Sequence, residues 1–191
     1  MPIDSRIVTS LNSWGTNHKS LVHIISNDFV YIAVLLAGVW LVVETVKSRR
    51  MGSGTAPFGR GLIANGVVVL AFPIGATVIV SELISKIYVR QRPFVALPDV
   101  KLLVPHSPDG GMPSHHLAFM TALVVSVYFY DRRTAALFGL LALLSAVGRV
   151  AAGIHYPSDI IAGVAVGICV VLLYRWIIVK FFSDGLLEMR A

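Results

Sequence analysis

Apolar stretches long enough, or nearly long enough, to cross a lipid bilayer occupy most of this chain. Hydrophobic residues make up 56% of the 191 residues and charged residues only 14%, whereas about a quarter of a soluble domain is charged. Crossing the hydrocarbon core takes about 20 apolar residues in a helix. Five stretches meet or approach that length: residues 29–46, 61–85, 114–130, 134–152 and 159–180. We therefore predict an all-α, polytopic membrane helix bundle with about five transmembrane helices, folded as a single domain over residues 1–191.

Residues 3–25 have a different pattern from the five long stretches. Apolar side chains recur among polar ones in this segment, at Ile7, Leu11, Trp14, Leu21, Ile24 and Ile25. The pattern predicts an N-terminal amphipathic helix lying at the membrane interface, with a solvated arm as the alternative. No secretory cleavage site is evident near the N-terminus, so we expect the first long apolar stretch to be retained as a span.

Basic residues give the chain a formal net charge of +6, which taken alone would suit a nucleic-acid partner. Their positions favour another explanation, because many of them flank the spans. With five spans, nine basic residues fall on one side of the membrane: Lys47, Arg49, Arg50, Arg60, Arg132, Arg133, Arg175, Lys180 and Arg190. Positive charge prefers the cytoplasmic side. We therefore predict no nucleic-acid partner, a location in the inner (plasma) membrane, and an extracytoplasmic face for the polar motifs at the other helix ends.

One polar motif, Pro113-Ser114-His115-His116, opens the third stretch. Ionisable residues beside membrane spans are costly and commonly functional. Proline suits the first turn of a helix, and the unpaired N–H groups of that turn favour an anion. Ser114 adds a hydroxyl donor, and one of the two histidines could face the anion. A capped helix start with two interfacial histidines is the alternative.

A second polar motif runs from Arg149 through His155 to Asp159. The spacing lets Asp159 contact His155 if the turn between them is helical. A carboxylate that binds one imidazole nitrogen leaves the other nitrogen nucleophilic. The guanidinium of Arg149 can bind phosphate oxygens through two parallel N–H groups. The alternatives are a charge that complements the helix dipole for Asp159 and a snorkelling side chain for Arg149.

A basic cluster, Lys86, Arg90 and Arg92, precedes Pro93. Alone, it is typical of an interfacial collar of cations; beside the two histidine motifs, we interpret it as a phosphate clamp. The sequence has no HExxH motif and no CxxC pair, and its ten Asp and Glu residues are scattered. We therefore predict metal-independent chemistry with no cofactor. The single cysteine, Cys169, lies in an apolar run that predicts a core position.

Taken together, three segments resemble the signature of the type 2 phosphatidic-acid phosphatase superfamily: Arg92-Pro93, Pro113-Ser114-x-His116 and Arg149-x5-His155-x3-Asp159. That superfamily includes membrane lipid phosphatases and soluble vanadium haloperoxidases, and the hydrophobicity of this chain disfavours a haloperoxidase. The resemblance runs from about Lys86 to Asp159, and the span pattern extends it to most of the chain. The three parts are highly specific in combination, although each alone is weak.

Three positions depart from that signature. The lysine usually found seven residues before the arginine is Ser85, with Lys86 one residue nearer; the glycine of Pro-Ser-Gly-His is His115; and the serine before the third-block arginine is Gly148. Bacterial undecaprenyl-diphosphate phosphatases of the bacitracin-resistance type likewise lack the lysine and carry a larger residue than glycine. The chain is also similar to them in Arg92-Pro93-Phe94-Val95 and Leu103-Val104-Pro105-His106.

The resemblance implies a site and a reaction. The implied catalytic residues are His155, His116 and Asp159, and the implied phosphate-binding residues are Arg92, Arg149 and Ser114, with Lys86 and His115 as further candidates. The implied reaction hydrolyses undecaprenyl diphosphate to undecaprenyl phosphate and inorganic phosphate through a phosphohistidine. The implied partners are a lipid diphosphate or lipid phosphate and the bilayer. The alternatives are a phosphatidylglycerophosphate or phosphatidate phosphatase, a lipid phosphotransferase, and a non-enzymatic membrane transporter or assembly subunit.

Overall fold

The structure, a computed structural model, describes residues 2–50 and 66–182, and every regular element within those ranges is a helix. The helices are α1 (Ile3–Thr16), α2 (Lys19–Arg50), α3 (Val67–Ile87), α4 (Pro93–Ala96), α5 (His115–Tyr128), α6 (Arg132–Ala151) and α7 (Pro157–Phe182). One π-helical turn, Ile24–Asp28, lies within α2, and another, Val67–Ala71, opens α3. Residues 61–65 of the predicted second stretch, together with Arg60 and Arg190, lie outside the described ranges.

Four helices, α2, α3, α6 and α7, are long and apolar enough to cross a membrane, which confirms the predicted all-α membrane bundle. The remaining apolar helix, α5, has 14 residues and is therefore only about 21 Å long, against about 30 Å for the hydrocarbon core. It lies in the middle of the bundle, where Leu117, Met120 and Leu123 are buried together with Phe138 of α6. Because other helices surround it, α5 does not have to match the thickness of the bilayer by itself.

Small residues bring α5 and α7 close together. A Cβ atom added to Gly163 would lie 2.5 Å from the carbonyl oxygen of Ser114, and one added to Gly167 would lie 2.7 Å from that of Ala118. Two glycines four apart allow this close approach of helix backbones within a membrane. At the end of the contact, the Ser114 N–H donates to the carbonyl oxygen of Asp159 over 3.0 Å. The two histidine motifs are therefore joined through their backbones.

The N-terminal helix α1 is present as predicted, but it turns its polar face toward the protein. Its buried residues recur every three or four positions, and apart from the core residue Val8 they are small or polar: Ser5, Val8, Asn12 and Gly15. The amide nitrogen of Asn12 donates to the carbonyl oxygens of Lys101 (2.7 Å) and Ala151 (2.9 Å), and its oxygen accepts the Lys101 N–H at 2.8 Å. The amphipathic stretch predicted over residues 3–25 is thus divided, because its last residues already belong to α2.

The segment between α4 and α5 folds back over the end of α6. The Phe94 N–H donates to the carbonyl oxygen of Gly153 (3.0 Å) and the Leu103 N–H to that of Ala152 (3.2 Å). Gly153 has φ +77°, a left-handed conformation that suits glycine after a helix end. These contacts fix the loop that carries several polar residues of the site described below.

The predicted core position of Cys169 is wrong, because this residue is exposed on α7. A long helix in a membrane is apolar on the side that faces lipid as well as on the side that faces protein. Apolar neighbours along the chain therefore could not tell which side Cys169 occupies.

Candidate active site

Polar residues from six parts of the chain meet around a cavity of about 580 Å³ at one end of the bundle. Its walls are formed by α3, the segments on either side of α4, the start of α5, the end of α6, and the segment between α6 and α7. The lining residues are Glu82, Ser85, Lys86, Val89, Arg92, His106, Asp109, Gly110, Pro113, His115, His116, Arg149 and His155. Six of the eight predicted site residues are among these. The other two, Ser114 and Asp159, are fully buried behind the cavity wall.

His155 lies between two guanidinium groups and one carboxylate. Its Nε2 atom is 3.5 Å from Nη1 of Arg92 and 3.4 Å from Nη2 of Arg149. Arginine can only donate, so Nε2 must carry the lone pair, and the proton of the neutral ring is then on Nδ1. Nδ1 lies 3.6 Å from Oδ2 of Asp159. The nitrogen that faces the two guanidinium groups is therefore the one that carries the lone pair.

The electrostatic surroundings keep this imidazole neutral. Burial lowers the pKa of His155 well below its usual value, and the positive charges of Arg149 and Arg92 lower it further. A neutral imidazole keeps the lone pair that a nucleophile needs.

Arg92 is held by the backbone and by one acidic side chain. Nη1 donates to the carbonyl oxygen of Ile154 (3.0 Å), and Nη2 donates to that of Gly110 (3.1 Å) and to Oδ1 of Asp109 (3.1 Å). Burial alone would raise the pKa of Asp109, but the hydrogen bonds and charge of Arg92 hold this pKa below its usual value. The carboxylate of Asp109 thus occupies Nη2 of Arg92.

Arg149, only 1% exposed, lies in the last turn of α6. Its Nη1 donates to the carbonyl oxygen of Ser26 over 3.3 Å, which comes from the π-helical turn of α2. A Cβ atom added to the preceding Gly148 would lie 2.7 Å from the backbone nitrogen of Ser26. The missing serine of the signature is therefore explained, because the backbone of α2 occupies the space that its side chain would need.

His106 also contacts Arg149, since its Nε2 lies 3.3 Å from Nη2 of that arginine. Its Nδ1 is 3.1 Å from the carbonyl oxygen of Ser107, which identifies Nδ1 as the protonated nitrogen and Nε2 as the acceptor. Burial lowers the pKa of His106, and the charges of Arg92 and Arg149 act in the same direction. This neutral ring lies with its centre 6.4 Å from that of His155.

The Ser114-His115-His116 motif lies at the start of α5, but the helix begins at His115 rather than at Pro113. His116 lines the cavity with His155. Ser114 Oγ is buried and has no hydrogen-bond partner among the described residues. His115 turns toward α3, where its Nε2 is 3.9 Å from Oε2 of Glu82.

The basic cluster of three cations separates in the structure. Arg92 contacts His155, whereas Lys86 pairs with Glu82 over 3.4 Å at the opposite wall. Arg90 points away from the cavity and pairs with Asp159. The predicted phosphate clamp is therefore wrong for Arg90.

A model of the PAP2 superfamily matches residues 66–183, more than half of the chain. The chain belongs to the PAP2 superfamily. It is a multi-pass membrane phosphatase, a hydrolase of phosphoric esters.

Two relatives of this PAP2 phosphatase are similar over most of its length. The bacitracin transport permease protein BcrC of Bacillus licheniformis is 24% identical over 169 residues, which are 87% of this chain and 76% of the relative. The undecaprenyl-diphosphatase BcrC of Bacillus subtilis (strain 168) is 27% identical over 154 residues, 81% of this chain and 71% of the relative.

Two solved structures share the fold of this PAP2 phosphatase. LpxE of Aquifex aeolicus superposes with a TM-score of 0.56 at 22% identity, covering 82% of this chain and 93% of that one. A PAP2-type phosphatidylglycerolphosphate phosphatase of Bacillus subtilis superposes with a TM-score of 0.62 at 15% identity, covering 95% and 87%.

Sequence reasoning missed several contacts of the PAP2 site. Nothing in the sequence links Asp4 or Ser26 to the motif that runs from Arg149 to Asp159, since each lies more than a hundred residues away. His106 was noticed only within a loop resemblance. The substitution at Gly148 was the one local signal, because a missing side chain beside Arg149 can mark a place where another element packs closely.

Proposed function

We propose that this PAP2 phosphatase hydrolyses undecaprenyl diphosphate to undecaprenyl phosphate and inorganic phosphate through a phosphohistidine on His155. The observation that carries the proposal is the setting of His155, whose Nε2 faces the cavity between Arg92 and Arg149 while its Nδ1 faces Asp159. This arrangement supplies a neutral nucleophile, two phosphate-binding forks and a carboxylate to support the charge that develops on the ring.

In the first step, Nε2 of His155 forms a bond to the terminal phosphorus while the bond from that phosphorus to the bridging oxygen breaks. His116 gives a proton to the bridging oxygen, which leaves with undecaprenyl phosphate. The N–H groups of Arg92 and Arg149 move from Nε2 to the phosphoryl oxygens, where charge spreads in the transition state. Asp159 stabilises the ring, which is cationic once Nε2 is phosphorylated and Nδ1 keeps its proton.

In the second step, His116 takes a proton from water as the water oxygen attacks phosphorus and the P–N bond breaks. Inorganic phosphate leaves and His155 returns to its neutral form. The buried hydroxyl of Ser114, which lacks a partner among the described residues, is proposed to donate to a phosphoryl oxygen. Lys86 and His115 line the same cavity and are proposed to contact the second phosphate group.

The choice of substrate is supported by the relative from Bacillus subtilis whose name is undecaprenyl-diphosphatase. The other relative is named a transport permease, and one structural neighbour is named a phosphatidylglycerolphosphate phosphatase. The proposed extracytoplasmic position of the site is supported by basic residues at the opposite helix ends, Arg49 and Arg50 of α2 and Arg132 and Arg133 of α6.

The test is phosphate release by purified enzyme from a panel that includes undecaprenyl diphosphate, phosphatidylglycerophosphate and phosphatidate, with and without a chelator. We expect the diphosphate to have the highest kcat/KM and the chelator to have no effect. His155→Ala should release no phosphate and form no phosphoenzyme while still entering the membrane. Turnover by that variant would disprove the mechanism, and a preference for a glycerolipid would disprove the substrate. Transfer of phosphate to a lipid acceptor without release to water would indicate a phosphotransferase.

The position of the site is tested separately. Ser107 is exposed in the loop beside the cavity, so Ser107→Cys in a Cys169→Ser background gives a single thiol near the site. We expect a membrane-impermeant maleimide to label it in intact cells. Labelling only after the cells are opened would place the site on the cytoplasmic face instead.

A further inference from the structure

Arg90 forms a bridge between the N-terminal helix and the carboxylate beside His155. Its Nη2 donates to Oδ2 of Asp4 at 2.8 Å, and its Nη1 donates to Oδ1 of Asp159, also at 2.8 Å. The guanidinium lies 3.9 Å from the centre of the Tyr156 ring, which restricts its plane. Since a guanidinium is a rigid fork, the position of one of its nitrogens determines the position of the other.

The two oxygens of Asp159 have different partners. Oδ1 accepts from Arg90, while Oδ2 accepts the Tyr156 N–H at 2.8 Å and faces Nδ1 of His155. The carboxylate has no exposure to solvent, so it depends on these groups both for its charge and for its rotation. Arg90 and the Tyr156 N–H together therefore hold the rotation of the carboxylate that faces His155.

Asp4 is held to the start of α7 as well as to Arg90. Its Oδ1 accepts the Ser158 N–H at 3.1 Å, and its Oδ2 also accepts the Ser158 hydroxyl. Ser158 is the second residue of α7, so Asp4 binds an N–H of that helix's first turn, as a capping residue would, but from a different helix. Burial alone would raise the pKa of Asp4, but hydrogen bonds from Ser158 and Arg90 hold this pKa below its usual value. The bridge is thus anchored by an ionised carboxylate.

We propose that Asp4 is a positioning residue for the reaction, acting through Arg90 on the Asp159–His155 pair, so that the N-terminal helix forms part of the catalytic apparatus. The proposal rests on the proposed role of His155 as the nucleophile. Asp4 is not among the residues that line the cavity, so its loss should slow the chemical step without weakening substrate binding. If the bridge from Asp4 to Asp159 only held α1 in place, the loss of Asp4 would instead change the amount or the stability of the folded protein.

The test compares kcat and KM for Asp4→Asn, Asp4→Glu, Arg90→Gln and the double variant Asp4→Asn/Arg90→Gln. Loss of the hydrogen-bond partner of a metal-binding histidine lowers metal affinity or activity by about 10- to 100-fold. A loss of activity in the same range is expected when the partner of an imidazole nucleophile is disturbed. We expect Asp4→Asn to lower kcat by about tenfold with KM unchanged, Asp4→Glu to retain more activity, and Arg90→Gln to lower kcat further. The double variant should be no slower than Arg90→Gln alone, because Asp4 acts through Arg90.

The matched control is Asn12→Ala, which removes the other polar attachment of α1 without touching the bridge. Its kcat per folded molecule should be unchanged even where its melting temperature falls. Wild-type kcat in folded Asp4→Asn, equal losses in Asp4→Asn and Asn12→Ala, equal activity of the Asn and Glu variants, or additive losses in the double variant would each overturn the proposal. If Asp4→Asn does not fold, Arg90→Gln still breaks the same bridge between Asp4 and Asp159, and a wild-type kcat in that folded variant would overturn the proposal.

Assays on the panel of lipids distinguish failure of the substrate proposal from failure of the positioning proposal for Asp4. If wild-type enzyme prefers another lipid phosphate, the substrate proposal fails, and the variants are then compared on that lipid with the same expectations. If His155→Ala retains turnover, the nucleophile is misassigned and the positioning proposal falls with it.

Discussion

The cavity has two walls that differ in how firmly their side chains are held. The His155 wall is formed by Arg92, Arg149 and His155. Each of these residues is at most 5% exposed, and the two arginines have partners from distant parts of the chain. On the α3 wall, formed by Glu82, Lys86 and His115, side chains are 50%, 69% and 42% exposed. Lys86 and Glu82 form an ion pair of 3.4 Å, and His115 Nε2 lies 3.9 Å from the Glu82 carboxylate.

This difference separates two tasks. Preorganised groups stabilise a transition state because they need not move when charge develops. Exposed, loosely paired side chains contribute little free energy, but they can adapt to a headgroup. We infer that the His155 wall performs the phosphoryl transfer and that the α3 wall adjusts the site to its particular lipid.

The largest expected effect distinguishes the two walls through two adjacent histidines. His115 belongs to the α3 wall, whereas His116 is the proposed acid and base. His116→Ala should lower kcat by about 10²- to 10⁴-fold, while the matched His115→Ala should mainly alter KM. Steady-state kinetics on the same lipid check both. The assignment is wrong if His115→Ala proves to be the inactive variant.

The next largest effect concerns the fork of Arg149. Arg149→Lys keeps the charge but loses the planar pair of donors, so we expect kcat to fall by about 10²- to 10³-fold, as for loss of one preorganised donor. The measurement is single-turnover formation of the phosphoenzyme. Near-normal rates in Arg149→Lys would mean that the positive charge of Arg149 is sufficient for the reaction and that the planar geometry of its guanidinium is not needed.

A smaller effect is expected when the serine of the superfamily signature is restored. Gly148→Ser forces a side chain against the π-helical turn of α2, and overpacking of this kind costs about 1–3 kcal/mol. The matched control is Gly139→Ser on the same helix, where an added Cβ meets nothing within 4 Å. Thermal unfolding in detergent compares the two, and equal stabilities would contradict the close packing of α2 on α6.

The pH dependence tests the electrostatics of the His155 wall. Only neutral His155 can attack, and its lowered pKa keeps it neutral as the pH falls below the ordinary value of about 6.5. The acid limb of kcat/KM that reports His155 should therefore lie well below pH 6.5. Arg92→Gln removes one repelling charge and should move the limb of the residual activity to higher pH. An unchanged limb would show that Arg92 does not influence the nucleophile.

The smallest effect is predicted for Lys86. Its ammonium is exposed and paired with Glu82 one helical turn away, so Lys86→Ala should change kcat/KM by less than about fivefold. Raising the salt concentration should reduce that difference further, because exposed charges are screened. A loss comparable to that of Arg149→Lys would mean that the α3 wall is part of the catalytic machinery.

The sequence predicted the bundle because hydrophobic stretches and helix-end motifs are local properties of the chain. Within the described residues, each long apolar stretch forms a helix. The motif residues lie where those helices begin or end, so connectivity alone brings His116, Arg149 and His155 to the same end. The exposed position of Cys169 was not predicted, because apolar sequence does not distinguish lipid from protein as a neighbour.

By itself, then, the sequence determined that the chain spans a membrane as helices and that two histidine motifs and their arginines belong to one site. Only the tertiary structure decided which cations face the cavity, that the backbone of α2 supports Arg149 in place of a missing serine, and that Asp4 reaches Asp159 through Arg90. The physical reason is that buried charges must find partners of suitable geometry wherever the packed helices place them, and those partners lie 69, 86 and 123 residues apart along the chain.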